Sequence, residues 1–158
     1  MRLVLLRHGI AEDSAPAGDA KRALTNEGRK KVHDVCEALA GMDLGIERIL
    51  SSPLVRAAQT AQILREVLKL GKVEESNALL PEAQPSAATS PIRALKASCV
   101  ALVGHEPHLG RYTAWSVGGG QFDIRKSGVV ILEGSGLPGP GGGAVVGLFA
   151  PRHLRPLV

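Results

Sequence analysis

Two short runs of uninterrupted apolar residues constrain this chain more than any other feature: Leu3-Val4-Leu5-Leu6 and Cys99-Val100-Ala101-Leu102-Val103. A strand with one wet face alternates polar and apolar residues, whereas a run with no polar member needs cover on both faces. Each run stops abruptly at charged or polar residues, in Arg7-His8-Gly9 and in Gly104-His105-Glu106-Pro107. Two strands of this kind belong inside a layered sheet, with helices above and below.

The intervening sequence supplies those helices. Thr25 is a candidate N-cap, after which Val32, Val35, Cys36, Leu39 and Ala40 recur at helical spacing until Gly41. Ile46 to Ser51 reads as a second strand, and Ser52-Pro53 opens a second helix to about Lys69, with Pro53 expected at its first position. A short strand near Val73, a Pro/Ala/Ser-rich loop from Asn77 to Ser90 and a third helix from Pro91 toward Ala97 follow. A helix is expected from Pro107 to Val117, then a strand pair, Val129–Leu132 and Ala144–Phe149. The six glycines and two prolines between Glu133 and Gly143 predict a flexible hairpin tip. Alternating strands and helices of this kind predict an α/β fold, a three-layer α/β/α sandwich. Its central sheet is expected to be mostly parallel, with a C-terminal antiparallel strand pair.

Aromatic residues make up 3% of the chain, so the core must be built from Ala, Val, Ile and Leu. The formal net charge of +4 favours an anionic ligand only weakly, and a slightly basic surface explains it as well. No Lys/Arg run interleaves with aromatics, so no nucleic-acid partner is expected. No segment approaches the ~20 apolar residues of a membrane span, and Met1-Arg2 leads into only four apolar residues, unlike a secretory leader. Cys36 and Cys99 have neither metal nor redox spacing and are expected as buried thiols in a reducing compartment, the cytoplasm.

In parallel sheets ligands sit outside the carboxyl ends of the strands. His8, Ser51-Ser52 and His105 all fall at such ends, and Arg56 lies in the first turn of the helix after Ser52-Pro53. Taken singly, each has a plainer reading: Arg7-His8 satisfying backbone at a strand end, Arg56 on the surface, His105 as a structural imidazole. Together they converge on one sheet edge. A helix N-terminus favours an anion, and an arginine there opposes the helix dipole unless something negative sits nearby. Two guanidinium forks suit phosphoryl oxygens, and two imidazoles can supply a nucleophile and a phosphate ligand. His105-Glu106-Pro107-His108 is not a helical His-Glu-x-x-His motif, so no metal is expected there. His33, His108 and His153 are not assigned to catalysis.

The motifs resemble those of the histidine phosphatase superfamily, the phosphoglycerate mutase-like proteins, and within it the small SixA-like phosphohistidine phosphatases. They are Leu-Arg-His-Gly at 6–9, Ser-Ser-Pro-x-x-Arg-Ala-x-Gln-Thr at 51–60 and Val-Gly-His-Glu-Pro-His-Leu at 103–109. Asp19-x-x-Arg22-x-Leu24-Thr25-x-x-Gly28 and Lys126-Ser127-Gly128 extend the likeness in the expected order. The resemblance implies one histidine phosphatase domain over residues 1–158, with no cofactor and no metal. It implies His8 as nucleophile, Arg7 and Arg56 as phosphoryl ligands, and His105 as a donor to the transferring group. Larger members use a carboxylate to protonate the leaving alcohol. Glu82 is the best-placed candidate for that acid, its alternative being an exposed loop carboxylate. Arg22 is a candidate substrate-binding residue at the rim, its alternative a plain surface arginine. Ser14 lies near where larger relatives place a polar phosphate ligand.

Only Asn77–Ser90 offers spare chain to roof the pocket, so an open site for a phosphohistidine-bearing protein domain is the expected function. A small phosphoester metabolite is the alternative substrate, and a non-catalytic phosphate-binding module the alternative role.

Overall fold

The structure, a computed structural model, describes residues 1–154. Six strands form one sheet: β1 (Arg2–Arg7), β2 (Arg48–Ser51), β3 (Val73–Glu75), β4 (Cys99–Gly104), β5 (Val129–Glu133) and β6 (Ala144–Phe149). Their order across the sheet is β3-β2-β4-β1-β5-β6. β1, β4, β2 and β3 pair parallel in that sequence, while β5 runs antiparallel to β1 and β6 antiparallel to β5. The α/β architecture, with its mostly parallel centre and antiparallel C-terminal pair, is the one the sequence predicts.

The two apolar runs are the two central neighbours, β1 and β4. Val4, Leu6, Ala101 and Val103 pack on one face beneath α1 (Asn26–Gly41) and α2 (Val55–Leu68). Leu3, Leu5, Val100 and Leu102 pack on the other, with residues of α3 (Thr89–Ala94) and α4 (His108–Val117). All eight side chains have zero exposure, which is why neither run tolerates a polar residue. α1 starts where its cap predicts, with the Thr25 hydroxyl oxygen accepting from the Gly28 amide at 2.9 Å.

Several boundaries differ from expectation. Pro53 is not the first helical residue, because α2 begins at Val55 with Leu54 as its cap. The Ser52 amide is still committed to the sheet edge through the Val103 carbonyl, and its hydroxyl accepts from Leu54 N, so a turn must finish before the helix starts. α3 starts two residues earlier than Pro91. The Glu133–Gly143 segment is tied down rather than loose: Gly141 N and Gly143 N donate to the carbonyls of Trp115 and Ser116 in α4. Leu137 is buried there, and a Cβ on Gly136 would lie 2.7 Å from Gly142 Cα. Gly134, Gly136, Gly139 and Gly142 serve close backbone approach, and Gly141 takes a positive φ of 62.

The exit of β1 is equally tight. Gly28 in α1 lies against the backbone just beyond β1, and a Cβ there would overlap the Ile10 carbonyl oxygen and come within 2.9 Å of its carbon. Backbone cannot yield as a flexible side chain can. Gly28→Ala is therefore expected to destabilise the protein by about 2–3 kcal/mol. Urea unfolding checks this, and an unchanged midpoint refutes the close approach.

Candidate active site

Arg7 ends β1 and His8 is the next residue out. The sheet pairing carries on past the strand, with His8 N donating to Gly104 O at 3.0 Å. From the other side, Ser127 N lies 3.1 Å from both the Arg7 and His8 carbonyls. Ser127 has φ 61 in the Lys126-Ser127-Gly128 turn. Gly9 N donates to Thr60 Oγ1 at 3.1 Å, and that hydroxyl donates to Arg56 O within α2. The backbone beneath His8 is thus pinned by β4, by the turn before β5 and by α2.

His8 is 6% exposed, and its Nδ1 lies 2.7 Å from Gly9 O. A carbonyl only accepts, so Nδ1 carries the ring proton and Nε2 keeps its lone pair. Burial pushes the His8 pKa down to about 4; the Gly9 hydrogen bond opposes this, and Arg56, Arg7 and Lys126 add to it. The imidazole is neutral at pH 7.

His105 leaves β4 as His8 leaves β1, and the ring centroids lie 5.0 Å apart at 54°. His105 is 1% exposed, and its Nε2 lies 2.7 Å from Ser52 Oγ at the end of β2. Its Nδ1 is buried with no partner. Burial first, then His8, Arg56, His108 and Arg7, hold its pKa down to about 3.

Two guanidiniums complete the cluster. Arg7 Nη1 donates to Ile124 O at 2.8 Å. Arg56, 5% exposed, reaches Asp19 O at 3.1 Å with Nη1 and Asp19 Oδ2 at 3.4 Å with Nη2. The Nε of each is buried and unpartnered. Burial lowers both guanidinium pKa values; Glu106 and Asp123 counter this for Arg7, and Asp19 for Arg56. Two fixed cations with spare N–H groups, beside two neutral imidazoles, form a site complementary to a multiply charged oxyanion.

Comparison with known proteins agrees with the motifs. The model of the histidine phosphatase superfamily (branch 1) matches residues 3–80. An uncharacterised protein of Picosynechococcus sp. is 34% identical over 140 residues, 84% of this chain and 85% of its own length. The chain belongs to the histidine phosphatase superfamily. The phosphohistidine phosphatase SixA of Escherichia coli is 36% identical over 85 residues, and the match spans 54% of this chain and 50% of SixA. The structure of the protein histidine phosphatase SixA complexed with tungstate aligns with TM-score 0.88 and 26% identity, over 98% of this chain and 100% of that one. A mycobacterial glucosyl-3-phosphoglycerate phosphatase with inorganic phosphate shares the fold at TM-score 0.73 and 19% identity, over 94% and 97% of the two chains.

The four residues that the superfamily resemblance singled out, Arg7, His8, Arg56 and His105, stand at one edge of the sheet. Arg22 joins them indirectly: its Nε donates to Asp19 Oδ1 at 2.8 Å, so Arg22 and Arg56 share one carboxylate. Glu82 lies on an exposed turn beyond the 3-10 helix Asn77–Leu79. The Leu79 carbonyl packs over Gly104, 3.4 Å from where a Cβ would sit, so this loop lies against the strand end that carries His105. Ser14 is exposed in the loop after β1. His33 pairs with Glu37 on α1, and His153 Nδ1 accepts from Ala150 N. Among the described residues no three His, Cys, Asp or Glu side chains converge as a metal site.

Two acidic neighbours went unassigned in the sequence. Asp19 holds Arg56, and its spacing of three from Arg22 was the available signal. Glu106 accepts from Gly110 N at 2.7 Å in the first turn of α4, and its charge acts on Arg7. Burial raises the Glu106 pKa, with the Gly110 amide and Arg7 opposing.

The buried imidazoles make a pH prediction. His8, His105 and His108 are held down to about 4, 3 and 4, whereas unfolded rings titrate near 6.5. Between those values the unfolded chain binds more protons, so stability rises with pH and is lost as pH falls through that window. Urea midpoints are expected to be level near about pH 7.5 and to drop steadily below about pH 6.5. A flat profile to about pH 4.5 would show that these rings are not buried neutral.

Proposed function

We propose that this protein is a metal-independent phosphatase that forms a phosphohistidine intermediate on His8 and hydrolyses phosphohistidine on a protein. The observation that carries the reading is the His8 ring: Nδ1 is locked to Gly9 O, leaving an unprotonated Nε2 on a ring that feels the charges of Arg56 and Arg7. Nε2 attacks phosphorus as the bond from phosphorus to the substrate imidazole nitrogen breaks, and the departing ring takes up a proton. Water then attacks the phosphoryl group, the His8 nitrogen–phosphorus bond breaks, and inorganic phosphate leaves. Arg7 and Arg56 bind the phosphoryl oxygens, and His105 donates to one of them. Since positioning and charge dominate phosphoryl transfer, these four groups suffice.

The substrate class rests on the β3–β4 connection. Leu79, Ala88, Ile92 and Leu95 of that segment are committed to the core, which leaves little chain to roof the site. An open site suits a phosphorylated side chain on a folded domain. Imidazole also leaves without the strong acid that an alkoxide needs, so an exposed Glu82 is no handicap. With a small phosphoester, the alternative to which the glucosyl-3-phosphoglycerate phosphatase neighbour points, Glu82 would be the general acid and Arg22 a rim contact. Two buried free thiols, Cys36 and Cys99, raised by burial to about 12 and 11, support a reducing compartment, the cytoplasm. No helix of the described residues is long and apolar enough to cross a membrane.

Labelling with a phosphohistidine-bearing protein domain, in chelator and quenched in alkali, is expected to leave an alkali-stable, acid-labile phosphoryl group on His8. His8→Ala is expected to abolish label and turnover. Label on another residue overturns the mechanism, and absence of any turnover points to a non-catalytic phosphate-binding module. Faster turnover of sugar or nucleotide phosphates than of the phosphoprotein overturns the substrate assignment.

Arg56→Ala separates chemistry from structure. Its guanidinium is held mainly by an exposed Asp19, so the stability change is expected to stay within about 1 kcal/mol. Loss of a preorganised phosphoryl donor is expected to cost about 100- to 1,000-fold in kcat/KM. A large fall in Tm with unchanged turnover would refute the assigned role.

A further inference from the structure

We infer that Ser52 is a positioning residue that fixes the tautomer of His105, holding its Nδ1–H as the donor to the phosphoryl group. The inference rests on the phosphatase reading above for the identity of the anion, and on hydrogen-bond counting for the tautomer.

Ser52 has zero exposure at the C-terminal end of β2. Its amide is fixed to Val103 O at 2.9 Å, one strand over and two residues before His105. Its hydroxyl oxygen accepts from Leu54 N at 3.2 Å and lies 2.7 Å from His105 Nε2. A hydroxyl has one proton to give and two lone pairs. Leu54 takes one lone pair, so the contact with Nε2 has two possible senses.

If Nε2 carried the ring proton and donated it, the Ser52 proton would be left in a buried site with no acceptor among the described residues. Nδ1 would then turn a bare lone pair toward any bound anion. If Ser52 donates to Nε2, its hydroxyl is fully used. The ring is neutral, kept so by burial and by the surrounding cations, so its single proton must then sit on Nδ1. That atom is buried and makes no hydrogen bond within the protein. It is the one ring position left for a ligand, and as a donor it matches a phosphoryl oxygen. Only the second arrangement satisfies every polar atom once the anion is bound.

The two imidazoles then carry their protons on the same ring position for opposite reasons. In His8 the carbonyl of Gly9 holds Nδ1–H and frees Nε2 to attack. In His105 the hydroxyl of Ser52 occupies Nε2 and frees Nδ1–H to donate. Outer partners that fix an imidazole in this way are worth about 10- to 100-fold in function at metal-bound histidines.

Long-range proton–nitrogen correlation NMR on the intact protein near pH 7 tests the inference directly. Nδ1 of His105 is expected to be the protonated nitrogen and Nε2 the acceptor, and the reverse assignment overturns it. Tungstate is expected to shift the Nδ1 proton. A retained Nδ1–H that no anion perturbs would overturn the anion contact, and with it His105's part in the phosphatase reading, while supporting Ser52's hold on the ring. In Ser52→Ala the tautomers are expected to mix, and kcat to fall about 10- to 100-fold with KM little changed. Ser52→Thr, which keeps the hydroxyl, is expected to restore the Nδ1–H signature. An unchanged signature and kcat in a folded Ser52→Ala protein would overturn the inference. The wild-type spectrum decides the tautomer even if the alanine variant does not fold.

Discussion

One backbone hydrogen bond, from His8 N to Gly104 O, carries the pairing of β1 and β4 one residue beyond the strands. Everything in the site depends on that register. Because Arg7 stands opposite Gly104, the next residues out, His8 and His105, must emerge side by side, and their rings end 5.0 Å apart. A slip of one residue would turn the whole apolar run of β1 to the wrong faces. The side chains of the core and the geometry of the site are therefore set by the same ladder. The third strand contributes on the same terms, since Ser52 N bonds Val103 O and brings its hydroxyl to His105.

The cluster is costly to the fold. Four polar or charged side chains stand at the edge of a dry core, and several of their nitrogens have no partner. Buried donors without acceptors destabilise a protein, and functional sites are where such groups persist. The unpartnered atoms of these four side chains are of one kind, since both arginine Nε groups and, in the tautomer inferred above, His105 Nδ1 are able to donate. Asp19 is the one carboxylate held by Arg56. Its own side chain is exposed, so that pairing leaves Arg56 available at little energetic cost.

The two faces of the sheet divide the labour. α1 and α2 press against the β1 exit and bring Gly28, Thr60 and Arg56 to it. α4 and the β3–β4 connection cover the other face and bring Glu106 and the Leu79 carbonyl to the β4 exit. The hairpin tip, anchored on the end of α4, lies far from this chemistry in sequence and stabilises the helix that follows His105. Membership of the histidine phosphatase superfamily accounts for the shared frame.

The sequence by itself determined the layered α/β class, because two short runs with no polar residue read as strands covered on both faces and helical segments alternate with them. It also determined the site edge, because His8, Ser52 and His105 each follow the end of a strand, and it singled out Arg7 and Arg56. Helix α1 was legible from the Thr25 cap and its periodic apolar residues. Only the tertiary structure decided how these parts connect. That the glycine-rich segment docks on α4, that α2 waits until Val55, that Asp19 grips Arg56 and that Glu106 acts on Arg7 are long-range facts, made by backbone groups and side chains far apart in the chain. The protonation of the two imidazoles belongs to the same class. A histidine's tautomer is set by whichever acceptor or donor lies across from it, and the hydroxyl across from His105 comes from 53 residues earlier in the chain.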